Sequence, residues 1–583
     1  TVGVVAAVVT YQYRWRIPKY RGKNRERKID ESLQRTVAFV YALSRSGMEV
    51  PEIMRILSNN TEVYGEAAKE MEVAVRDMEV FGTNIISALQ RLGERTPSDN
   101  FSDFAENFVS VLQGGRDVST FLREQYEYYE EEAEAQQEQF LELLATLAEA
   151  YVTAFVAGPL FLITILVIIG FIIGDTLPLL RLIIYLGVPL ATLGFLAYLD
   201  SITPPTSIEP EREEEEESAW EVTGVRTVED ATVAQARQDG GAATDGGIAA
   251  GFRTVGGRTY PEAMARNVKR LLTYRRFSGL RDRITNPLSY ILADPNTVLY
   301  LVIPVALVYA GTRAYLLYVG QGITVTTIDD VLVQSLLIVT ATFALVFELR
   351  QYQIRAIERA IPDFLDRLAS INEAGMPIIE SFNRLRRSDL GALNTELERL
   401  WADVEMGAQL DQALIRLEER VDTASVSRAV TLITHSMNAS GDLAPVLRIA
   451  AGEAQTMRRL ERQRRQELMT YMVVIYVAFF VFLAIIIALT TVFLPSIPTI
   501  ENVGPGQVGG AGGTPSIGGS LSVGGLSEAK KAAYQVVFGH SAIVQGLASG
   551  TMAGKMSEGD VRAGAKHVTI MVGIAYAINL VFL

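Results

Sequence analysis

The residues of this chain best equipped for chemistry lie near its C-terminus, in "SGTMAGKM" (549–556) and in the flanking His540 and His567. A lysine behind a glycine-rich turn cradles phosphates when the spacing is Gly-x4-Gly-Lys-Ser/Thr, because backbone N–H groups then converge on the anion. Here the first glycine position holds Ser549 and the position after Lys555 holds Met556, with no strand pattern ahead, so nucleotide binding is rejected. His540 and His567 could form a ligand pair, but they read better as polar helix-end residues satisfied by local partners. With no cysteine and three histidines in 583 residues, thiolate chemistry is excluded and a histidine-rich metal site is not expected. No catalytic, cofactor-binding or metal-binding residue is assigned.

What positions these residues is a greasy frame. The chain is 49% apolar with a mean hydropathy of +0.20, oilier than an ordinary soluble protein of its length. Apolar runs of about 20 residues, long enough to cross roughly 30 Å of hydrocarbon as helix, occur at 151–173, 177–199, 297–319, 331–349 and 471–494, with weaker ones at 534–553 and 567–583. The opening "TVGVVAAVV" reads as the tail of a spanning helix whose beginning is missing. Its following segment, "YRWRIPKYRGKNRERK" (13–28), holds eight Lys or Arg residues, the density that marks a cytoplasmic flank. Counting crossings from there puts 29–150 and 350–470 inside the cell, so the expectation is a multi-pass protein of the cytoplasmic membrane. The net charge of −14 with few lysines is compatible with a high-salt cytoplasm.

The two inner segments repeat one another. "SRSGMEVPEIMRIL" (44–57) returns as "NEAGMPIIESFNRL" (372–385), "FGTNIISALQRLGERT" (81–96) as "MGAQLDQALIRLEERV" (406–421), and "LQGGRDVSTFL" (112–122) as "NASGDLAPVLR" (438–448). Three glycines punctuate each copy, Gly47, Gly82 and Gly115 in the first and Gly375, Gly407 and Gly441 in the second. This is an internal duplication. Apolar residues spaced by three and four make each copy a compact bundle of about six helices, with the glycines where one helix stops and the next begins. The fold class is all-α: a polytopic membrane protein with two duplicated cytoplasmic helical-bundle modules.

The copies differ in charge. Residues 29–150 carry a net −15 and residues 350–470 a net −1. Ahead of the following apolar run, "YEEEAEAQQE" (129–138) in one copy stands against "MRRLERQRRQE" (457–467) in the other. Such faces are either solvated or aimed at different partners or at each other.

The organisation expected is a stub and basic segment (1–28), module 1 (29–150), a transmembrane hairpin (151–199), an acidic Gly-rich disordered linker (200–260) and a basic amphipathic segment (261–296). A second hairpin (297–349), module 2 (350–470), a transmembrane helix (471–494), an extracellular Gly-rich tether (495–533) and a C-terminal transmembrane pair (534–583) follow. In that last pair Gly546, Gly550 and Gly554 recur at four, along one helix face, where a second helix can approach closely.

Two helical modules with the "SGMEVPEIMRIL" type of helix start, each leading into a membrane helix, resemble the type II secretion F family. These are platform proteins of type IV pili, type II secretion systems and archaella. The acidic linker and the "HSAIVQG…SGTMAGKMSEG…GAKHVTIM" tail look most like the archaeal archaellum or pilus platform. The resemblance implies a non-enzymatic membrane subunit that couples a cytoplasmic hexameric ATPase to extraction and assembly of pilin-like or archaellin subunits, without cofactor. A homodimer is compatible with it; nucleic acid is not expected as a partner, membrane lipids are. On that reading Glu130, Glu131 and Glu132 of module 1 and Arg458, Arg459, Arg462, Arg464 and Arg465 of module 2 are the residues expected to face the ATPase. Readings from other classes are a transporter, which would place charges within its spans, and a signalling scaffold, which would need a folded outer domain.

Overall fold

The computed structural model describes residues 2–172, 176–203, 252–255, 258–261, 295–320, 325–438, 443–497 and 527–582. Gly441 and the tether at 498–526 therefore lie outside the described residues, as does most of the linker and of the basic amphipathic segment. The chain divides into two units, 1–210 with 299–583, and 211–298.

In the large unit, the first copy opens on α1 (Val2–Arg45), followed by α2 (Val50–Asn59), α3 (Thr61–Tyr64), α4 (Glu66–Phe81), α5 (Ile85–Arg95), α6 (Asp99–Gly114) and α7 (Val118–Tyr151). Each break has a local cause. Pro51 at the first turn of α2 needs no N–H partner. Asn84, Ser98 and Asp117 cap α5, α6 and α7 by accepting from Ile86, Phe101 and Thr120 backbone N–H groups. Gly82 and Gly115 close α4 and α6 in the left-handed region at φ +63° and +62°, a conformation that a side chain resists.

α7 runs through a π turn (Val152–Ala157) into α8 (Gly158–Ile172), and α9 (Leu177–Leu182) through another (Ile183–Gly187) into α10 (Val188–Ile202). α11 (Thr297–Gly320) precedes the second copy, which opens on the 49-residue α12 (Val325–Glu373). It continues with α13 (Ile378–Leu385), α14 (Leu393–Glu405), α15 (Leu410–Val421), α16 (Ala424–Asn438) and the 46-residue α17 (Leu443–Ala488), which ends in a π turn (Leu489–Phe493) and a last turn (Leu494–Ser496). α18 (Glu528–Glu558) and α19 (Gly564–Phe582) finish the chain. Thus the apolar runs at 331–349 and 471–494 are not separate elements: single helices carry the chain from each into the second module.

Two findings differ from the sequence reading. Each copy was read as a compact bundle with its own core, but one apolar core holds both: Leu33, Phe39, Phe101, Phe104 and Phe108 of the first copy lie in the same cluster as Phe364, Leu368, Leu414 and Val446 of the second. Each short helix has a single apolar face, and α1 and α17 close the gap by packing on one another. In the small unit, inside the range read as disordered linker, β1 (Phe252–Val255) and β2 (Arg258–Pro261) pair antiparallel with Phe252 opposite Pro261. Threonine, valine and aromatic residues on both sides of a Gly-Gly pair are a hairpin signal that the overall composition of the segment conceals.

A second core joins the end of α7 with α8, α9, α10, α17, α18 and α19. Among the described residues six helical stretches are long and apolar enough to cross a membrane: Val118–Gly170, Leu177–Ile202, Thr297–Val319, Thr327–Glu373, Leu443–Ser496 and Gly564–Phe582. The chain is a multi-pass membrane protein, all-α in its framework with two duplicated modules. The weaker run at 534–553 is not among the six. It forms the middle of α18, where Ser541, Gln545, Ser549 and several glycines lower the hydropathy and where most side chains are buried by the surrounding helices.

Candidate partner-binding site

The acidic run of α7 and the basic run of α17 meet. Thr456 Oγ1 donates to Glu130 Oε1 at 2.6 Å, Arg459 pairs with Glu134, and Gln137 Nε2 donates to the Leu460 carbonyl at 3.0 Å. The first two contacts join positions 326 and 325 residues apart, nearly the interval between Gly82 and Gly407. Equivalent points on the two copies therefore face each other, with the acidic run of one against the basic run of the other. The Arg459–Glu134 pair is open to solvent, its side chains 62% and 38% exposed, so it contributes little by itself.

The other expected partner-facing residues divide. Arg458 donates to Glu461 at 2.9 Å and to the Arg355 carbonyl at 3.3 Å, Glu132 accepts from Gln136, and the Arg464 guanidinium stands 5.8 Å from the centre of the Phe140 ring. Glu131 and Arg462 are exposed and Arg465 is half-buried. Gly47, Gly375 and Gly407 have φ of +81°, +82° and +97° and end helices, as Gly82 and Gly115 do.

Deeper in the seam lie charges that the sequence reading missed. Arg428 Nε on α16 approaches Glu453 Oε1 on α17 at 3.6 Å, and Arg35 on α1 donates to the Glu31 carbonyl at 3.1 Å. Burial, then the charge of Arg428, lowers the Arg35 guanidinium to about 10; Glu453 and Glu31 oppose the change. Burial likewise raises the Glu453 carboxyl against the pull of Arg428 and Arg35. His435 Nε2 on α16 sits 3.3 Å from Asn60 Nδ2, and burial lowers its pKa. Their neighbours in sequence are mixed polar and apolar, such as Gln34 and Thr36 beside Arg35, so the sequence offered no distinct signal for them.

At the far end of the helices, Glu558 accepts from Arg355 at 2.7 Å and pairs with Lys566, which also reaches Glu348 at 2.9 Å. Burial alone would raise the Glu558 carboxyl, but the hydrogen bonds and charges of Lys566 and Arg355 outweigh it and hold the pKa below the usual value. The "SGTMAGKM" segment is the interior of α18, and Lys555 meets Asp200 at 2.5 Å. His540 and His567 do not meet. His540 Nε2 lies 2.8 Å from Asp329 Oδ2 and its Nδ1 bonds Tyr185, whereas His567 Nδ1 bonds the Tyr476 hydroxyl at 2.9 Å. Among the described residues no three His, Asp or Glu side chains gather as a metal site would need.

The glycines of α18 press on α19. A Cβ on Gly546 would lie 3.3 Å from the Met571 carbonyl carbon, one on Gly550 would lie 2.5 Å from Val568 Cα, and one on Gly554 would overlap the backbone of Gly564. The two helices thus touch backbone to backbone.

The family model for "Type II secretion system (T2SS), protein F" matches this chain twice, at residues 37–166 and 364–491. The chain carries the F domain in duplicate. Each matched range covers most of a module and most of the apolar helix that follows it, so the repeat reaches beyond 150 and 470 into the apolar runs. An uncharacterized protein of Methanocaldococcus jannaschii is 31% identical over 32% of this chain and 33% of its own length. Two proteins called flagella accessory protein J are similar as well. That of Methanocaldococcus jannaschii is 28% identical over 24% of this chain and 25% of its own, and that of Methanococcus voltae is 23% identical over 26% and 27%. The matches thus span a third or less of these relatives. No solved structure matches the chain significantly.

Proposed function

We propose that the chain is a non-enzymatic membrane platform subunit of a type IV pilus-like filament machine, an archaellum in the favoured reading. In this role it couples a cytoplasmic hexameric ATPase to the extraction and assembly of pilin-like subunits. The observation that carries the reading is the duplicated F domain whose two copies share one core and continue as helix into the membrane, the first through the π turn at Val152–Ala157 and the second directly. Motion imposed on the modules would reach the spans through helix alone. The likeness to proteins called flagella accessory protein J favours the archaellum over an adhesive pilus.

The basic flank at 13–28 argues that both modules lie in the cytoplasm. Of the charged side chains considered for the ATPase, Glu131 and Arg462 are the exposed ones with no hydrogen bond or ion pair among the described residues, and the partner surface is assigned around them. The test is the double substitution Glu131→Lys with Arg462→Glu in a host whose filaments depend on this gene. Filaments are expected to disappear while the chain stays in the membrane at its normal level; normal filaments would remove the assignment. Loss of the gene with filaments retained would remove the function itself.

A further inference from the structure

Where the first module meets α16 of the second, one imidazole closes a polar contact. Asn60 stands between α2 and α3; its side-chain nitrogen donates to the Ile56 carbonyl at 2.7 Å and lies 3.3 Å from His435 Nε2. The bond to Ile56 fixes which end of the amide carries the hydrogens. An amide N–H2 can only donate, so His435 Nε2 must accept, and the ring is neutral with its proton on Nδ1. The partners are 375 residues apart, one in each copy of the F domain. Counted from Gly115 and Gly441, the position equivalent to His435 in the first copy is Val109, so the seam carries such a ring on one side only.

We infer that His435 is an acid-sensitive clasp: neutral, it ties the α2–α3 corner of the first module to α16 of the second, and protonated, it lets that corner go. A proton on Nε2 turns the acceptor into a second donor facing the Asn60 amide, and the half-buried bond is lost. The surroundings oppose that proton. Burial lowers the pKa of His435, and the one charge that resists is Glu52 on α2. Other charges on the elements packed against α16 act elsewhere. Arg35 of α1, Glu358 of α12 and Glu453 of α17 face Arg428, two turns back along α16, and Glu418 of α15 acts on Tyr64 of α3. The closed seam thus holds the ring neutral while a loosened chain takes the proton more readily. The clasp is therefore at full strength above the ordinary imidazole range and weakens as pH falls below it. Glu358 and Glu453, whose carboxyls burial raises, act in the opposite sense and favour the closed seam in acid. The apolar core common to both modules holds them together throughout, so the release is local. None of this depends on the platform reading, and either can fail without the other.

The test is hydrogen–deuterium exchange of the full chain in neutral detergent, read by mass spectrometry at about pH 7.5 and about pH 5.5, either side of the imidazole range, with intrinsic rates corrected. In the wild type, protection of Val50–Tyr64 and of the end of α16 should fall several-fold at the lower pH. H435Q, whose side-chain oxygen accepts from Asn60 and does not titrate, should lose that pH dependence while Glu358 and Glu453 stay in place. E52Q removes the charge that favours the proton and should show a smaller loss than the wild type at the lower pH. Equal protection of the wild type at both values, or the same fall in H435Q, would overturn the inference. So would a fall spread evenly over both modules, which would mark general loosening in acid. Should H435Q not accumulate, E52Q decides: a loss as large as the wild type's would overturn the inference.

Discussion

Two helix pairs in this molecule are joined by opposite means. α7 and α17 meet through long side chains, with Glu130 on Thr456, Glu134 on Arg459 and Gln137 on a carbonyl. α18 and α19 meet through the absence of side chains, at Gly546, Gly550 and Gly554. Long polar side chains can exchange partners as helices shift, at small cost in each exchange. A glycine contact cannot open without losing its dispersion energy, nor close further without overlap. The polar rim of the seam between the F domains can therefore adjust, whereas the C-terminal pair stays fixed.

The largest effect should come from breaking the fixed pair. Gly554→Val drives Cβ and two methyl groups into the Gly564 backbone, and folded protein recovered from membranes should fall to near zero by size-exclusion chromatography. Gly573→Ala, with nothing within 4 Å of the added carbon, should leave the yield unchanged. Next is the buried centre of the seam. Glu453→Ala leaves Arg428 without its countercharge and Arg35 with Glu31 alone, and stability measured by denaturant titration should drop by about 3–5 kcal/mol. The smallest effect belongs to the rim. Arg459→Glu and Glu134→Arg should each cost less than about 1 kcal/mol, with most of it restored in the double swap. A rim pair that cost as much as Glu453 would erase the contrast drawn between an adjustable rim and a fixed pair.

Much of this was legible in the residues. The paired glycines announced the helix stops, the apolar runs announced the spans, and the "YEEEAEAQQE" and "MRRLERQRRQE" runs already allowed the modules to face each other. The seam between them was not legible in detail, because periodicity describes one helix at a time and says nothing about which apolar faces close on each other. Leu33 and Phe364 each look like core residues of their own bundle, and only the packing puts them in one cluster. The continuity of α12 and α17 was hidden for a related reason. A change from apolar to charged residues reads as a boundary, whereas the backbone has no cause to stop where no glycine intervenes; even Pro362 lies within α12. Arg35, Arg428 and Glu453 escaped because a single charge on a helix cannot be told from a solvated one until its neighbours are known.

α12 holds 49 residues in one helix, about 70 Å at 1.5 Å per residue. A beam of that length pivoting by about five degrees at its inner tip sweeps its opposite tip through some 6 Å, roughly one helical pitch. Geometry of this kind would carry a small displacement at one end of the helix to its other end, with Pro362 the point where the hydrogen-bond ladder of α12 is interrupted.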